Sequence, residues 1–265
     1  MTSNRNEDWR ESRDKNQERM TLLDLMRNNT LDLKLAALLW LLMEKKSSII
    51  VASGPRQTGK STTLTAIVDF VPPSIVKAYT RGQDENFSFL PETDASNTII
   101  VVPELSDHTP SYLWGDAVRT LFEAVDEGYL LASTIHADSA EEVMDMLEGP
   151  PLHLPHSHVI NLRAVVNLCV IYGEDGIVRR VNKVTLVSPG PEFTVLAQWN
   201  ADEDVLVHDE SSTAQAKVEA RLGMASGELT ADLASRAETL GAWLKDETID
   251  AGKLQKLIAE HYESR

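Results

Sequence analysis

The sequence predicts an α/β fold, in which a mostly parallel sheet is flanked by helices and followed by a small C-terminal helical subdomain. Short β-branched segments alternate with helical segments between residues 48 and 148, a pattern typical of parallel strands joined by crossover helices. A glycine-rich turn joins the first of these strands to the helix after it. Beyond residue 211 the apolar residues recur at helical spacing, with Leu229, Leu233, Leu240 and Leu244 on one stripe.

Apolar runs and turn residues divide the chain into predicted elements. One or two helices cover residues 20–43 with a break near 28–30, and the apolar run 35–43 predicts a helix buried on most sides. The predicted strands span 48–52, 75–79, 97–102, 129–134, 165–172, 181–188 and 193–198, and the helices between them span 59–70, 112–127 and 139–148. Short loops join the last strands, which favours an antiparallel extension of the sheet.

The 265 residues are divided into a charged tail (1–19), an α/β core (20–200) and a helical subdomain (201–265). No apolar run approaches the roughly 20 residues that a membrane helix needs, and the tail is too charged to be a signal peptide. We therefore expect a cytoplasmic protein. The single cysteine, Cys169, excludes an internal disulfide and a cysteine-based zinc site.

The net charge of −16 argues against a general surface that binds nucleic acid. The acidic excess is spread along the chain after residue 20 and does not form one tail. It fits either a protein adapted to high salt or an ordinary acidic protein, and the charge alone does not separate the two.

The strongest motif is a glycine-rich phosphate loop. Residues 54–61 read GPRQTGKS and fit the pattern G-x-x-x-x-G-K-[ST], between a predicted strand and a predicted helix. This context favours a phosphate loop over a purely structural turn. Backbone N–H groups and the helix N-terminus are expected to hold phosphates, with Lys60 on the β- and γ-phosphates and the Ser61 hydroxyl on Mg²⁺. The predicted nucleotide-binding residues are Gly54, Pro55, Arg56, Gln57, Thr58, Gly59, Lys60, Ser61 and Thr62.

Two further side chains follow strands that neighbour this loop. Glu104 comes after the apolar run 97–102 and is predicted to bind Mg²⁺ and to act on the attacking water. His136 follows the strand 129–134 and either contacts the γ-phosphate or is an ordinary loop residue. The other histidines, His108 among them, show no helical ligand spacing.

The phosphate loop, the strand-end acid and the segment 128–139 (GYLLASTIHADS), in this order, resemble the ATPases of the type II/IV secretion superfamily. That family drives pili, archaella and secretion systems, and the segment 128–139 looks like its histidine box. The segments 21–25, 39–42 and 70–73 follow the core order of its archaeal branch, and 236–244 with 257–262 resemble its C-terminal helices. The resemblance covers roughly residues 20 to 263.

The resemblance implies a RecA-like P-loop NTPase fold that binds ATP and Mg²⁺, with Glu104 and His136 as catalytic residues. It implies a homo-oligomeric hexameric ring, or a mixed ring, with ATP at the subunit interfaces. The implied partner is the inner-membrane platform protein of a pilus-like or secretion machine, which would hold the protein at the cytoplasmic face of the membrane. No nucleic-acid partner is expected.

The sequence also departs from the family pattern. The family has an N-terminal domain that supplies arginines to the phosphates, and we expect this chain to lack it because only residues 1–19 precede the core. The family's acidic box corresponds to residues 76–82 here, which contain no acid, and Asp84 and Glu85 lie slightly later. Pro103, Ser106 and Tyr129 also replace typical family residues.

Three hypotheses follow for the function. The first is an ATPase that drives or assists a pilus-like or secretion machine. The second is an ATP-binding, hydrolysis-deficient accessory or regulatory relative of such motors. The third, a small-molecule kinase, is disfavoured by the histidine box and the C-terminal helices. Arg179 and Arg180 either contact the nucleotide or cover a strand edge, and we interpret them as edge residues.

Overall fold

The structure is a computed structural model, and it describes residues 19–173, 176–190 and 192–264. The predicted charged tail lies outside the described residues except for Arg19. None of the helices in these residues is both long enough and apolar enough to cross a lipid bilayer.

One mixed sheet forms the centre of the described structure. Its strands are β1 (Ser48–Ala52), β2 (Val76–Tyr79), β3 (Thr98–Leu105), β4 (Leu130–Ile135), β5 (Leu162–Gly173), β6 (Gly176–Leu186), β7 (Thr194–Asn200) and β8 (Val205–His208). Their spatial order is β2-β3-β4-β1-β5-β6-β7-β8. The strand pairs β2–β3, β3–β4, β4–β1 and β1–β5 are parallel. The pairs β5–β6, β6–β7 and β7–β8 are antiparallel. The predicted α/β class is therefore confirmed.

Helices cover both faces of this sheet. They are α1 (Leu22–Arg27), α2 (Leu33–Glu44), α3 (Lys60–Val68), α4 (Asp116–Asp126), α5 (Ala140–Glu148), α6 (His156–Val159), α7 (Ser212–Leu222), α8 (Glu228–Leu244) and α9 (Ala251–Glu263). The predicted break near residues 28–30 is confirmed, because α1 ends at Arg27 and Asn29 has φ 54°. Asp32 then caps α2, since its side chain accepts a hydrogen bond from the Leu35 N–H.

Two apolar clusters lie on opposite faces of the sheet. Along β1, Ile49 and Val51 belong to one cluster, while Ile50 and Ala52 belong to the other. All four side chains are fully buried, which explains why this strand is continuously apolar in the sequence. Helices α1, α2, α3, α7, α8 and α9 contribute to the first cluster, and α4, α5 and α6 to the second.

Several element boundaries differ from those predicted: β5 begins at Leu162 rather than at residue 165, and β6 begins at Gly176 rather than at residue 181. Strand β3 continues to Leu105, with an irregularity after Val102 where Pro103 supplies no N–H to the ladder. Helix α4 begins at Asp116 rather than at residue 112, because Gly115 precedes it at φ 64°. Strand β8 was not predicted, and it pairs with β7, so the predicted boundary at residue 200 falls between two paired strands.

The C-terminal helices pack onto the buried helix α2. Every residue from 35 to 43 in this helix is buried, as predicted. The Trp40 ring stacks on Trp243 at 5.4 Å, and its indole Nε1–H donates to the Tyr262 hydroxyl at 3.0 Å. The Tyr262 hydroxyl donates in turn to the Phe70 carbonyl at 3.1 Å. Helices α8 and α9 therefore share the core of the sheet.

Arg236 of α8 is a charged residue within this packing. It is 0% exposed, and its guanidinium lies 2.8 Å from both Glu44 and Asp232. The same group lies over the Trp40 ring, 5.1 Å from the ring centroid. Removing the cation leaves two carboxylates near each other at the edge of an apolar cluster, which is unfavourable.

We predict that Arg236→Ala lowers the free energy of unfolding by about 3 kcal/mol, the lower end of the cost found when one partner of a buried ion pair is removed. Arg236→Lys keeps one cation without the two-pronged guanidinium, so its loss should be smaller. Urea unfolding of the three proteins gives the comparison. Equal stability of Arg236→Ala and the unsubstituted protein would show that the two ion pairs contribute nothing net.

Candidate functional site

The predicted phosphate loop connects the end of β1 to the start of α3. Gly59 is the N-cap of α3, with φ 94°, and makes no side-chain capping bond. The Thr63 N–H bonds to the Gly59 carbonyl. The N–H groups of Lys60, Ser61 and Thr62 precede this bond and point out of the helix N-terminus. Such a terminus favours an anion.

Gly54 is fixed by an acidic residue from the neighbouring strand. Its N–H donates to Asp138 Oδ1 at 2.9 Å, just beyond β4. A Cβ atom added at Gly54 would lie 2.4 Å from this oxygen, so the Asp138 carboxylate would have to move away. The absence of a side chain at Gly54 therefore allows the close approach of Asp138.

Lys60 is buried against the loop that it follows. It is 6% exposed, and its Nζ donates to the carbonyls of Ser53 at 3.2 Å and Pro55 at 3.4 Å. Burial lowers the pKa of Lys60, nearby Arg56 lowers it further, and Glu104 opposes the shift. A phosphate at the helix N-terminus would favour the charged form of this lysine.

Glu104 and His136 come together at the carboxyl ends of β3 and β4. Glu104 is buried, and its Oε1 accepts a hydrogen bond from the Ser106 hydroxyl at 3.0 Å. His136 Nε2 lies 3.4 Å from the same oxygen. His136 Nδ1 lies 2.9 Å from the Gly54 carbonyl and 3.2 Å from Lys60 Nζ. The acid, the histidine and the loop lysine thus form one contiguous polar group.

A cleft of about 880 Å³ opens over this group. The predicted residues that line it are Arg56, Gln57, Thr58, Gly59, Lys60, Ser61, Thr62, Glu104 and His136. The other two, Gly54 and Pro55, contribute the backbone carbonyls that contact His136 and Lys60. This volume is in the range of cofactor and ligand sites.

Three residues that were not predicted to belong to the site also line the cleft: His108, Arg179 and Arg180. Arg179 donates from Nε and Nη2 to the Gln57 carbonyl, at 3.3 and 3.2 Å, so the edge interpretation is incomplete for this residue. Arg180 lines the cleft as well and forms a two-pronged pair with Asp204, with both distances 2.7 Å. His108 lies beside Glu104. The G-K-S motif contains no signal for any of these residues, because they come from distant parts of the chain.

Asp84 and Glu85, the two acids that follow residues 76–82, are not among the described residues that line the cleft. Glu85 accepts hydrogen bonds from the N–H groups of Arg81 at 2.9 Å and Phe87 at 2.8 Å. Asp84 is exposed in the same loop. Glu85 thus stabilises its own turn.

The residues of the cleft fit a nucleoside triphosphate with Mg²⁺. Four cationic side chains of the described chain line it, from Arg56, Lys60, Arg179 and Arg180. Thr58 also lines it, and its hydroxyl is buried without a hydrogen-bond partner among the described residues. The Ser61 hydroxyl and the Glu104 carboxylate supply the oxygen ligands that Mg²⁺ prefers.

No family model matches the sequence. The chain is 29% identical over 241 residues to uncharacterized protein MJ1287 of Methanocaldococcus jannaschii, covering 82% of this chain and 89% of the relative. It is 24% identical over 272 residues to uncharacterized protein MJ0900 of the same organism, covering 92% of this chain and 49% of MJ0900. The chain therefore spans about half the length of MJ0900.

Among solved structures, the chain is similar to the VirB11 ATPase of the Brucella suis type IV secretion system, with a TM-score of 0.40 and 16% identity. That match covers 64% of this chain and 63% of VirB11, slightly less than two thirds. The ATPase DotB of Legionella pneumophila gives a TM-score of 0.42 at 15% identity, covering 92% of this chain and 67% of DotB. At these TM-scores the similarities assign no function.

We predict that Gly54→Ala lowers the free energy of unfolding by about 1–3 kcal/mol, because the methyl group displaces the Asp138 carboxylate and breaks its bond to the loop. Asp138→Ala removes the same bond without a clash. The double variant should therefore be no less stable than Gly54→Ala alone, which thermal or urea unfolding measures. Additive losses in the double variant would show that the two residues act independently.

Proposed function

We propose that this chain is an ATP-binding and ATP-hydrolysing subunit of a motor in a type II/IV secretion or type IV pilus-like system. The observation that carries the enzymatic part is the convergence of Lys60, Glu104 and His136 at one helix N-terminus. This arrangement joins a phosphate-binding end to a carboxylate and an imidazole that can act on water.

Each group of the cleft has a role in this proposal. The backbone N–H groups of the loop and the Lys60 ammonium hold the β- and γ-phosphates, and Arg56 and Arg179 add positive charge. Ser61 and Glu104 would hold Mg²⁺, which neutralises charge on the phosphate oxygens when bound. Glu104 accepts the proton of the attacking water, and His136 hydrogen-bonds the γ-phosphate.

The assignment to a secretion or pilus machine rests on the sequence resemblance in residues 128–139 and in the C-terminal helices. Both sequence relatives come from an archaeon, which is compatible with the archaeal branch of that superfamily. We propose a ring, homo-oligomeric and hexameric or mixed, that acts at the cytoplasmic face of a membrane on an inner-membrane platform protein. The net charge of −16 supports a function without nucleic acid.

A second candidate is an ATP-binding relative of these motors that does not turn ATP over. The observation in its favour is that Glu85 lies in its own turn, so no acid from this region reaches the described cleft lining. Glu104 would then be the acid that decides between the two functions.

We predict that Lys60→Ala abolishes ATP binding, because it removes the buried cation of the loop. Lys256→Ala, which removes an exposed lysine of α9, is the matched control and should bind ATP normally. Equilibrium binding of a fluorescent ATP analogue measures both. Normal binding by Lys60→Ala would contradict the phosphate-loop assignment.

We predict that Glu104→Gln keeps ATP binding and reduces phosphate release by about 10²-fold or more, because the amide cannot accept the proton of water. Glu123→Gln, on the exposed side of α4, is the control. Steady-state phosphate release by the three proteins is the measurement. Lys60-dependent binding without phosphate release by the unsubstituted protein would instead favour the second candidate.

A further inference from the structure

We propose that Glu104, His108 and His136 form a binding site for a divalent transition metal of the Zn²⁺ class. Each residue offers one ligand atom, and the three atoms lie within 4.8 Å of one another. Glu104 comes from the end of β3, His108 from the turn after it, and His136 from the end of β4. Strand pairing therefore assembles the site from segments that are distant in the sequence.

The distances between the ligand atoms suit a single ion. Glu104 Oε1 lies 3.4 Å from His136 Nε2 and 3.9 Å from His108 Nδ1. Two ligands that bind one metal at about 2.1 Å each can be at most about 4.2 Å apart. Both pairs meet this limit, and the half-exposed His108 side chain is able to turn further toward the ion.

His136 is placed to act as a metal ligand through Nε2. Its Nδ1 lies 2.9 Å from the Gly54 carbonyl, which accepts hydrogen bonds, and 3.2 Å from Lys60 Nζ, which donates them. In the tautomer that donates from Nδ1 to the Gly54 carbonyl, Nε2 presents a lone pair on the side of Glu104 Oε1, at 3.4 Å. This tautomer suits a metal-binding histidine, whose other ring nitrogen usually donates to a carbonyl or carboxylate.

The ligand types distinguish this site from a magnesium site. Two imidazoles and one carboxylate form a ligand set found for zinc, whereas Mg²⁺ prefers oxygen ligands and retains water. The cleft above the three residues leaves room for water at the remaining coordination positions. The Ser106 hydroxyl, which donates to Glu104 Oε1 at 3.0 Å, orients the carboxylate.

One charge opposes metal binding. The Lys60 Nζ lies 3.5 Å from His136 Nε2, so its ammonium repels an ion at the site. We therefore expect Lys60→Ala to bind the metal more tightly than the unsubstituted protein. A purely structural histidine cluster has no reason to respond in this way.

The test is a titration of the full chain with Co²⁺, followed by its visible absorption, and with Zn²⁺ in competition. We expect one Co²⁺ per chain, displaced by Zn²⁺ and unaffected by excess Mg²⁺. His108→Ala should weaken binding by about 10-fold to 100-fold. His156→Ala removes an exposed histidine that pairs with Glu148 at 2.7 Å outside the cluster, and it should bind like the unsubstituted protein.

Two results would overturn the proposal. One is the absence of a visible absorption band on addition of Co²⁺, and the other is an equal change of Co²⁺ affinity in His108→Ala and His156→Ala. Circular dichroism of each variant confirms that it is folded, and His108 is a turn residue whose loss leaves the core intact. The titration contains no nucleotide, so its outcome is independent of the proposed ATPase activity, which Lys60→Ala tests separately through ATP binding.

Discussion

The parallel pairing of β1, β4 and β3 is the constraint on which the site depends. Ala52 pairs with Ile135, and Ile135 pairs with Leu105, so the three strands end at the same edge of the sheet. The pairing of these strands therefore brings together the loop before α3, the turn after β4 and the end of β3. Glu104 lies within the irregularity between Val102 and Leu105, where the regular ladder of β3 is interrupted.

Electrostatics add a second level of organisation. The chain has a net charge of −16, yet positive side chains gather around one cleft. Two of them, Arg179 and Arg180, lie on β6 of the antiparallel extension, and Arg179 contacts the phosphate loop through the Gln57 carbonyl. The parallel half of the sheet thus supplies the loop and the acid, while the antiparallel half adds positive charge. This local concentration of positive charge favours the binding of a negatively charged ligand in the cleft.

Much of this arrangement could be predicted from the sequence. The G-K-S motif marks the loop, and the apolar runs before Glu104 and His136 mark both residues as following buried strands, because these signals lie within short segments. The contribution of Arg179 could not be predicted in this way, because it depends on the register of β6 against β5. His108 has no sequence spacing to His136 that indicates a shared site. Strand β8 is only four residues long, VLVH between acidic residues, and its pairing with β7 depends on the tertiary fold.

The contact between Trp40 and Tyr262 joins residues that are 222 positions apart. Tyr262 also bonds to the Phe70 carbonyl, just after the helix that carries the phosphate loop. A fragment that retains the whole nucleotide site but stops before α9 would leave the Trp40 indole and this carbonyl without these partners. Limited proteolysis at the C-terminus would therefore loosen the packing behind the nucleotide site, although no residue of α9 lines the described cleft. A variant that keeps Trp40 as its only tryptophan would report by its fluorescence whether the last helix is docked.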